Sequence, residues 1–88
     1  MRSKIQPVEY GGYTKIQFSV LHPHLLYAAG TFGDFNVIDV RNGQLVRTFK
    51  GHAAAINDFT EVSPLEIIVT AGDDRQCLVF DIRGLKDF

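Results

Sequence analysis

The chain has 88 residues and a formal net charge of −1, which is enough for one small domain. Its nine basic and ten acidic residues are dispersed, so no basic face for nucleic acid or for an anionic membrane is predicted. Cys77 has no second cysteine to pair with, and no apolar run approaches the roughly 18 residues that span a bilayer. These features predict a cytoplasmic or nuclear location.

Short apolar or alternating stretches separated by turns follow one another along the chain, which is typical of an all-β protein. Asn42-Gly43 predicts a type I′ hairpin, because both residue types tolerate positive φ. The alanines at 53–55 are interpreted as a loop leading into a strand, and no helix is required anywhere. The predicted strands are residues 4–9, 13–20, 25–29, 35–40, 44–50, 56–62, 65–71 and 76–82.

One stretch of the chain occurs twice in the same register. The sequence AAGTFGDFNVIDVR at 28–41 matches TAGDDRQCLVFDIR at 70–83, with an offset of 42 residues (81 − 39) between the two aspartates near their ends. Self-similarity at roughly 40–45 residues in a strand-rich chain is the signature of a β-propeller blade.

Gly51-His52, the aspartate turn at 73–74 and the ending Phe80-Asp81 resemble the WD-repeat family. The resemblance implies two four-stranded antiparallel blades, each repeat running from an outer strand to three inner strands. The repeats span about residues 4–42 and 44–83. Because a propeller typically has 4–8 blades, further blades are expected from a longer chain, from identical copies or from another protein.

The family's blades carry a buried network of Trp, Ser or Thr, His and Asp. The resemblance places His52, Thr70 and Asp74 in three of these positions, with Phe80 standing where the Trp would be. His52 can donate one ring nitrogen to Asp74 and accept from Thr70 at the other. Since Phe has no N–H, the network is expected to be incomplete at Phe80.

The first repeat departs further from the family. Ile38 replaces the Trp, Phe32 occupies the aspartate position, and residues 10–12 lack the Gly-His pair. This blade is therefore expected to be held by apolar packing alone and to be the less sharply defined of the two.

No set of nucleophile, base and orienting group is found, so the chain is predicted to be a non-enzyme without metal or cofactor. His22 and His24 lack a third ligand, Asp73 and Asp74 diverge on a tight turn, and Cys77 is expected to be a small buried hydrophobe.

Arg41 and Arg83 each lie two residues after a blade-ending aspartate. Such Asp-x-Arg endings resemble those of substrate receptors of the cullin-4 ubiquitin ligase adaptor, where a guanidinium fork suits a carboxylate or carbonyl partner. The alternative is local pairing with Asp39 and Asp81.

Residues 46–58 are similar to the Polycomb-group propeller, which implies an aromatic cage for trimethyl-lysine. Nothing in the sequence arranges the available aromatic residues, Tyr10, Tyr13, Phe32 and Phe35, as such a cage. The predicted function is a protein-interaction scaffold; the alternatives are a cullin-ligase receptor and a subunit of a histone-methylation complex.

Overall fold

A computed structural model describes residues 12–88, and the strand predicted at 4–9 lies outside this range. The described part is built from seven strands and two short 3-10 segments. The strands are β1 (Tyr13–Phe18), β2 (Leu25–Gly30), β3 (Asp34–Asp39), β4 (Gln44–Lys50), β5 (Ile56–Val62), β6 (Ile67–Gly72) and β7 (Cys77–Asp81).

The strands form two antiparallel sheets, as the alternating sequence pattern predicts. The first sheet has the order β1-β2-β3-β4 and the second has the order β5-β6-β7. Strand β4 pairs with β3, so the first strand of the second repeat is the outer strand of the first sheet. The all-β blade prediction is confirmed, and the second sheet has three strands rather than four in the described range.

An aromatic core lies in the seam, the interface between the two sheets. Side chains alternate along a strand, so one face of each sheet is turned toward the other. The Phe35 ring lies 5.3 Å from the Tyr27 ring on the same sheet and 5.0 Å from the Phe59 ring on the other sheet. The Phe49 ring lies 5.1 Å from the Phe80 ring across the seam.

The connections differ from the predictions in two places. The hairpin at Asn42-Gly43 forms, but four residues separate β3 from β4 and only Gly43 has positive φ (72°), so the turn is not the predicted type I′. Helical turns of the 3-10 type, which were not predicted, occur at Ser63–Leu65 and at Arg83–Asp87. The second of these turns the chain back, so that Leu85 is buried in the seam core.

The prediction that Cys77 is buried is wrong. Cys77 is exposed because it lies on the face of β7 that is turned away from the seam. A period-2 pattern assigns a residue to one of two faces, but it cannot say whether anything covers that face.

Candidate functional site: the buried network, the seam and the rim

The structure brings the three network residues of the second sheet together. His52 Nδ1 lies 2.9 Å from Asp74 Oδ1, and His52 Nε2 lies 2.6 Å from Thr70 Oγ1. A carboxylate only accepts hydrogen bonds, so Nδ1 donates to Asp74, while Nε2 pairs with the Thr70 hydroxyl. Because the His52 side chain is fully buried and both ring nitrogens are occupied, the ring has no free position for a substrate.

Asp74 also caps the loop that precedes β5. Its carboxylate accepts from Ala53 N at 2.9 Å and from Gln76 N at 3.2 Å. The hydrogen bond from His52, reinforced by that from Ala53, holds the pKa of Asp74 below its ordinary value. Only glycine fits at position 72, where a Cβ would lie 2.4 Å from His52 Nδ1.

Phe80 stands apart from this hydrogen-bonded set. Its ring packs against Phe49 of the first sheet and lies close to Gly51, where a Cβ would be 3.6 Å away. Phe80 therefore contributes apolar contact across the seam at the position where the resemblance implies a Trp donor.

The first sheet is not held by apolar packing alone, so that prediction is wrong. Asn36 is fully buried; its Nδ2 donates to Asp34 Oδ2 at 2.8 Å, and its Oδ1 accepts from Thr48 Oγ1 at 2.8 Å. Tyr13 also forms a side-chain hydrogen bond with Asn36. Burial and the nearby carboxylate of Asp34 raise the pKa of Tyr13. The polar residue Asn36 within the otherwise apolar stretch FNVI was the sequence signal for this network.

The Asp34 carboxylate lies against Gly30, where a Cβ would be 2.1 Å from Asp34 Oδ1. Asp74 lies in the same way against Gly72, so each sheet places a carboxylate over the glycine that ends its second strand. Phe32, which the repeat register aligned with Asp74, is exposed instead.

Sequence reasoning missed Glu61, which joins the two sheets across the seam. Its carboxylate accepts from Tyr27 Oη at 2.5 Å, from Ser19 Oγ at 2.7 Å and from Val20 N at 2.7 Å. Burial favours the neutral acid, but the hydrogen bonds from Ser19 and Tyr27 outweigh it and hold the pKa of Glu61 below its ordinary value. In sequence, Glu61 is one polar residue of an alternating strand and gives no sign of a partner 34 or more residues away.

The first strands of the two sheets are also joined, at β1 and β5. Lys15 Nζ bonds Asp58 and donates to the Phe59 carbonyl at 3.1 Å, and it lies 4.9 Å from the centre of the Phe59 ring. Thr14 donates to the Ile56 carbonyl. The two sheets are therefore fixed to each other by polar contacts at one edge and by the aromatic core behind it.

The candidate partner-binding arginines pair with their own aspartates. Arg41 Nε and Nη2 lie 3.0 and 2.8 Å from Asp39, and Arg83 repeats this with Asp81 at 3.0 and 2.6 Å. In each pair the Arg backbone N–H also donates to the Asp carboxylate. The arginine hydrogen bonds lower the pKa of Asp39 and of Asp81 to about 2.

The two Asp-Arg pairs occupy equivalent ends of β3 and β7, and we call this pair of positions the rim. The Arg41 side chain is 62% exposed and the Arg83 side chain 71%. Within residues 12–88, each guanidinium hydrogen-bonds only to its own Asp, which fixes its orientation and leaves it accessible to solvent.

The remaining candidates do not converge on a site. The ring centres of His22 and His24 are 6.3 Å apart, and His24 Nε2 lies 2.8 Å from the Phe88 carbonyl. Phe35 is buried in the seam, so it is not available for an aromatic cage, and Tyr10 lies outside the described residues. No group of three potential metal ligands occurs among residues 12–88.

No helix in the described range is long and apolar enough to cross a membrane.

Comparisons with known proteins found similarity in both sequence and fold. The chain is 30% identical over 71 residues to a WD repeat-containing protein of Dictyostelium discoideum, a match that covers 81% of this chain and 14% of the relative. It is also similar to a chain in the structure of the Chaetomium thermophilum Polycomb Repressive Complex 2 bound to GSK126. There the TM-score is 0.71 at 28% identity, over 89% of this chain and 18% of that chain.

No family model matches the chain. The repeat register, the two antiparallel sheets, and the likeness to a WD-repeat protein in sequence and to a Polycomb-complex chain in fold lead to one conclusion. The chain is similar to WD-repeat proteins in sequence, and its sheets match WD-type propeller blades in fold.

Proposed function

We propose that the chain serves as a non-catalytic scaffold for protein partners, in the nucleus or the cytoplasm. The observation that carries this proposal is the rim, where two solvent-exposed guanidinium groups are held by matching hydrogen bonds to their own aspartates. A pre-oriented guanidinium loses little conformational entropy when it meets a carboxylate or carbonyl group of a partner. The buried His52 network is assigned a structural role.

The rim is tested by charge reversal in an affinity-tagged chain expressed in cells. The variant carries Arg41→Glu and Arg83→Glu, and the matched control carries Arg75→Glu, an exposed arginine in the turn before β7. Cross-linking and quantitative mass spectrometry compare the co-purified proteins. We expect the amount of some co-purified proteins to fall tenfold or more with the rim variant, whereas the control retains them. An unchanged set of partners contradicts the proposal.

A narrower version is a substrate receptor of the cullin-4 ubiquitin ligase, to which the two Asp-x-Arg endings point. Purified ligase adaptor is then retained by the tagged wild-type chain and by Arg75→Glu, and lost with the rim variant. Circular dichroism confirms that the variant is folded. Retention of adaptor by the rim variant removes this version.

The second version is a subunit of a chromatin complex, which is favoured by the likeness to the Polycomb Repressive Complex 2 chain. It predicts binding of a trimethyl-lysine histone peptide, measured by calorimetry against the unmodified peptide. Since Phe35 is buried, exposed aromatic residues such as Phe32 have to supply the contacts, and Phe32→Ala weakens binding. Equal heats for the two peptides remove this version.

A further inference from the structure

The first sheet has an apolar face that nothing in the described range covers completely. This first open face is turned away from the seam, and Leu26 and Ile38 form its buried centre. Beside them, Phe18 lies opposite Leu26 and is 57% exposed, and Ile16 lies opposite Ala28 and is 59% exposed.

The second sheet has a matching face on its far side. This second open face includes Val69 and Val79, which lie opposite each other, and the pair Ala71 and Cys77. Val79 is 63% exposed and Cys77 is exposed as well. Branched apolar side chains in such a row on a sheet are more typical of an interface than of a solvated surface.

The repeat register shows that these faces are the two halves of the seam. Ile16 lies opposite Ala28, as Phe59 lies opposite Thr70, so Ile16 occupies in the first sheet the position of Phe59 in the second. The first open face therefore corresponds to the side of the second sheet that packs on the seam. By the same register, the second open face corresponds to the seam side of the first sheet.

The first open face of one copy can pack on the second open face of another with the geometry of the seam, and the side chains that meet are compatible. Val69 takes the position of Tyr27, and Phe18 takes that of Glu61. The hydrogen-bonded pair of the seam is thereby replaced by two apolar side chains. Neither half leaves a polar group at that position without a partner, which is what a stable packed interface requires.

Charge at the inner strands is also complementary. Lys15 lies opposite Ala29 and Asp58 lies opposite Ala71, so the two charges occupy equivalent positions in the two sheets. Within the chain they already form an ion pair, and the Asp58 side chain remains 68% exposed. Repeating the seam places the Lys15 of the next copy beside this carboxylate, and positive and negative charges alternate from sheet to sheet.

We infer that the chain binds a second copy of itself head to tail, the first open face of one copy packing on the second open face of the next. Such a heterologous contact joins two different surfaces, and each copy of the protein carries both. Successive copies can therefore add on, and the assembly closes into a ring if the rotation from one copy to the next allows it. This interface is separate from the rim.

The experiment uses two variants that each disable one face. Phe18→Asp places a charge on the first open face, and Val79→Asp places one on the second. Leu65→Asp is the matched control, since Leu65 is 65% exposed in a 3-10 turn that belongs to neither face. Native mass spectrometry and light scattering give the mass of each 9.8 kDa chain alone and in mixture, and circular dichroism reports the fold.

We expect wild type and Leu65→Asp to form complexes of several copies. Each single-face variant runs as a folded monomer, but mixed one to one they form a dimer and go no further. The reason is that Phe18→Asp retains the second open face and Val79→Asp the first. Two outcomes overturn the inference. One is a wild-type chain that remains monomeric at 100 times the lowest concentration that light scattering detects. The other is a mixture of the two variants that does not dimerise. Other blades then cover these faces.

Discussion

Equivalent strands of the two sheets differ in how completely they are buried. Every residue of β2 is buried, whereas only two of the six residues of β6 are. Likewise β3 is buried from its second residue onward, whereas β7 alternates between exposed and half-buried residues. The first sheet, which departs further from the family pattern, is nevertheless the better covered one.

This difference shows that the polar network marked by a repeat signature and the burial of a blade are separate properties. The signature in the second sheet marks a polar network, His52 with Thr70 and Asp74, that fixes loops to a strand. Burial depends instead on what packs against each face, and the first sheet has a side-chain cluster on both sides. A blade's conformity to its family is therefore a poor guide to its packing.

The largest expected effect on stability comes from substituting equivalent residues of the two sheets. Phe35 and Cys77 both begin the pairing with the second strand of their sheet, opposite Ala29 and Ala71. Phe35→Ala removes a fully buried ring and is expected to lower the free energy of unfolding by about 3–5 kcal/mol. Urea denaturation at one fixed protein concentration measures the change.

Cys77→Ala is the counterpart, and we expect a change within about 0.5 kcal/mol because the side chain is exposed. Equal losses from Phe35→Ala and Cys77→Ala at a concentration where the chain is monomeric would show that burial does not separate the two sheets.

The two polar networks give the next effect. His52→Ala leaves the buried hydroxyl of Thr70 without its partner and removes one donor from Asp74, so we expect a loss of about 2–4 kcal/mol. His52→Gln is a control that retains hydrogen-bonding groups in similar volume, and it should recover part of the loss. A loss below about 0.5 kcal/mol for His52→Ala would remove the structural role assigned to the network.

Asn36→Ala tests the network of the first sheet, where Asp34 still faces solvent on one side and Thr48 is half-buried. A smaller loss of about 1–3 kcal/mol is expected. Hydrogen exchange shows where each loss falls. Backbone amides should lose protection from exchange first in β3 and β4 for Asn36→Ala, and first in β6 for His52→Ala.

The order of the strands was predictable because it depends on local information. Alternation, turn residues and an internal repeat are each contained within a few residues or one period. The resemblance to the WD-repeat family assigned His52, Thr70 and Asp74 to one network, and the structure places these side chains within hydrogen-bonding distance.

What the sequence did not reveal depends on contacts between sheets. Glu61 has the appearance of a solvated strand residue until Tyr27 and Ser19 are placed against it. Cys77 has the appearance of a core residue until its face is found to be uncovered. Both outcomes depend on which face meets a neighbour, and a period of two is silent on that choice.

The smallest effect compares the two rim pairs by pH. In both, the Arg lowers the pKa of the Asp to about 2, so the stabilisation is fully present above the ordinary Asp pKa and is lost as pH falls through about 2. Carboxyl chemical shifts in an NMR titration measure each value, and Arg41→Gln and Arg83→Gln should raise the pKa of Asp39 and of Asp81 respectively. The Asp39 side chain is 7% exposed and that of Asp81 54%, so 1 M salt should raise the pKa of Asp81 more. Equal salt responses would mean that solvent reaches both pairs alike, and that the difference in burial between the sheets ends before the rim.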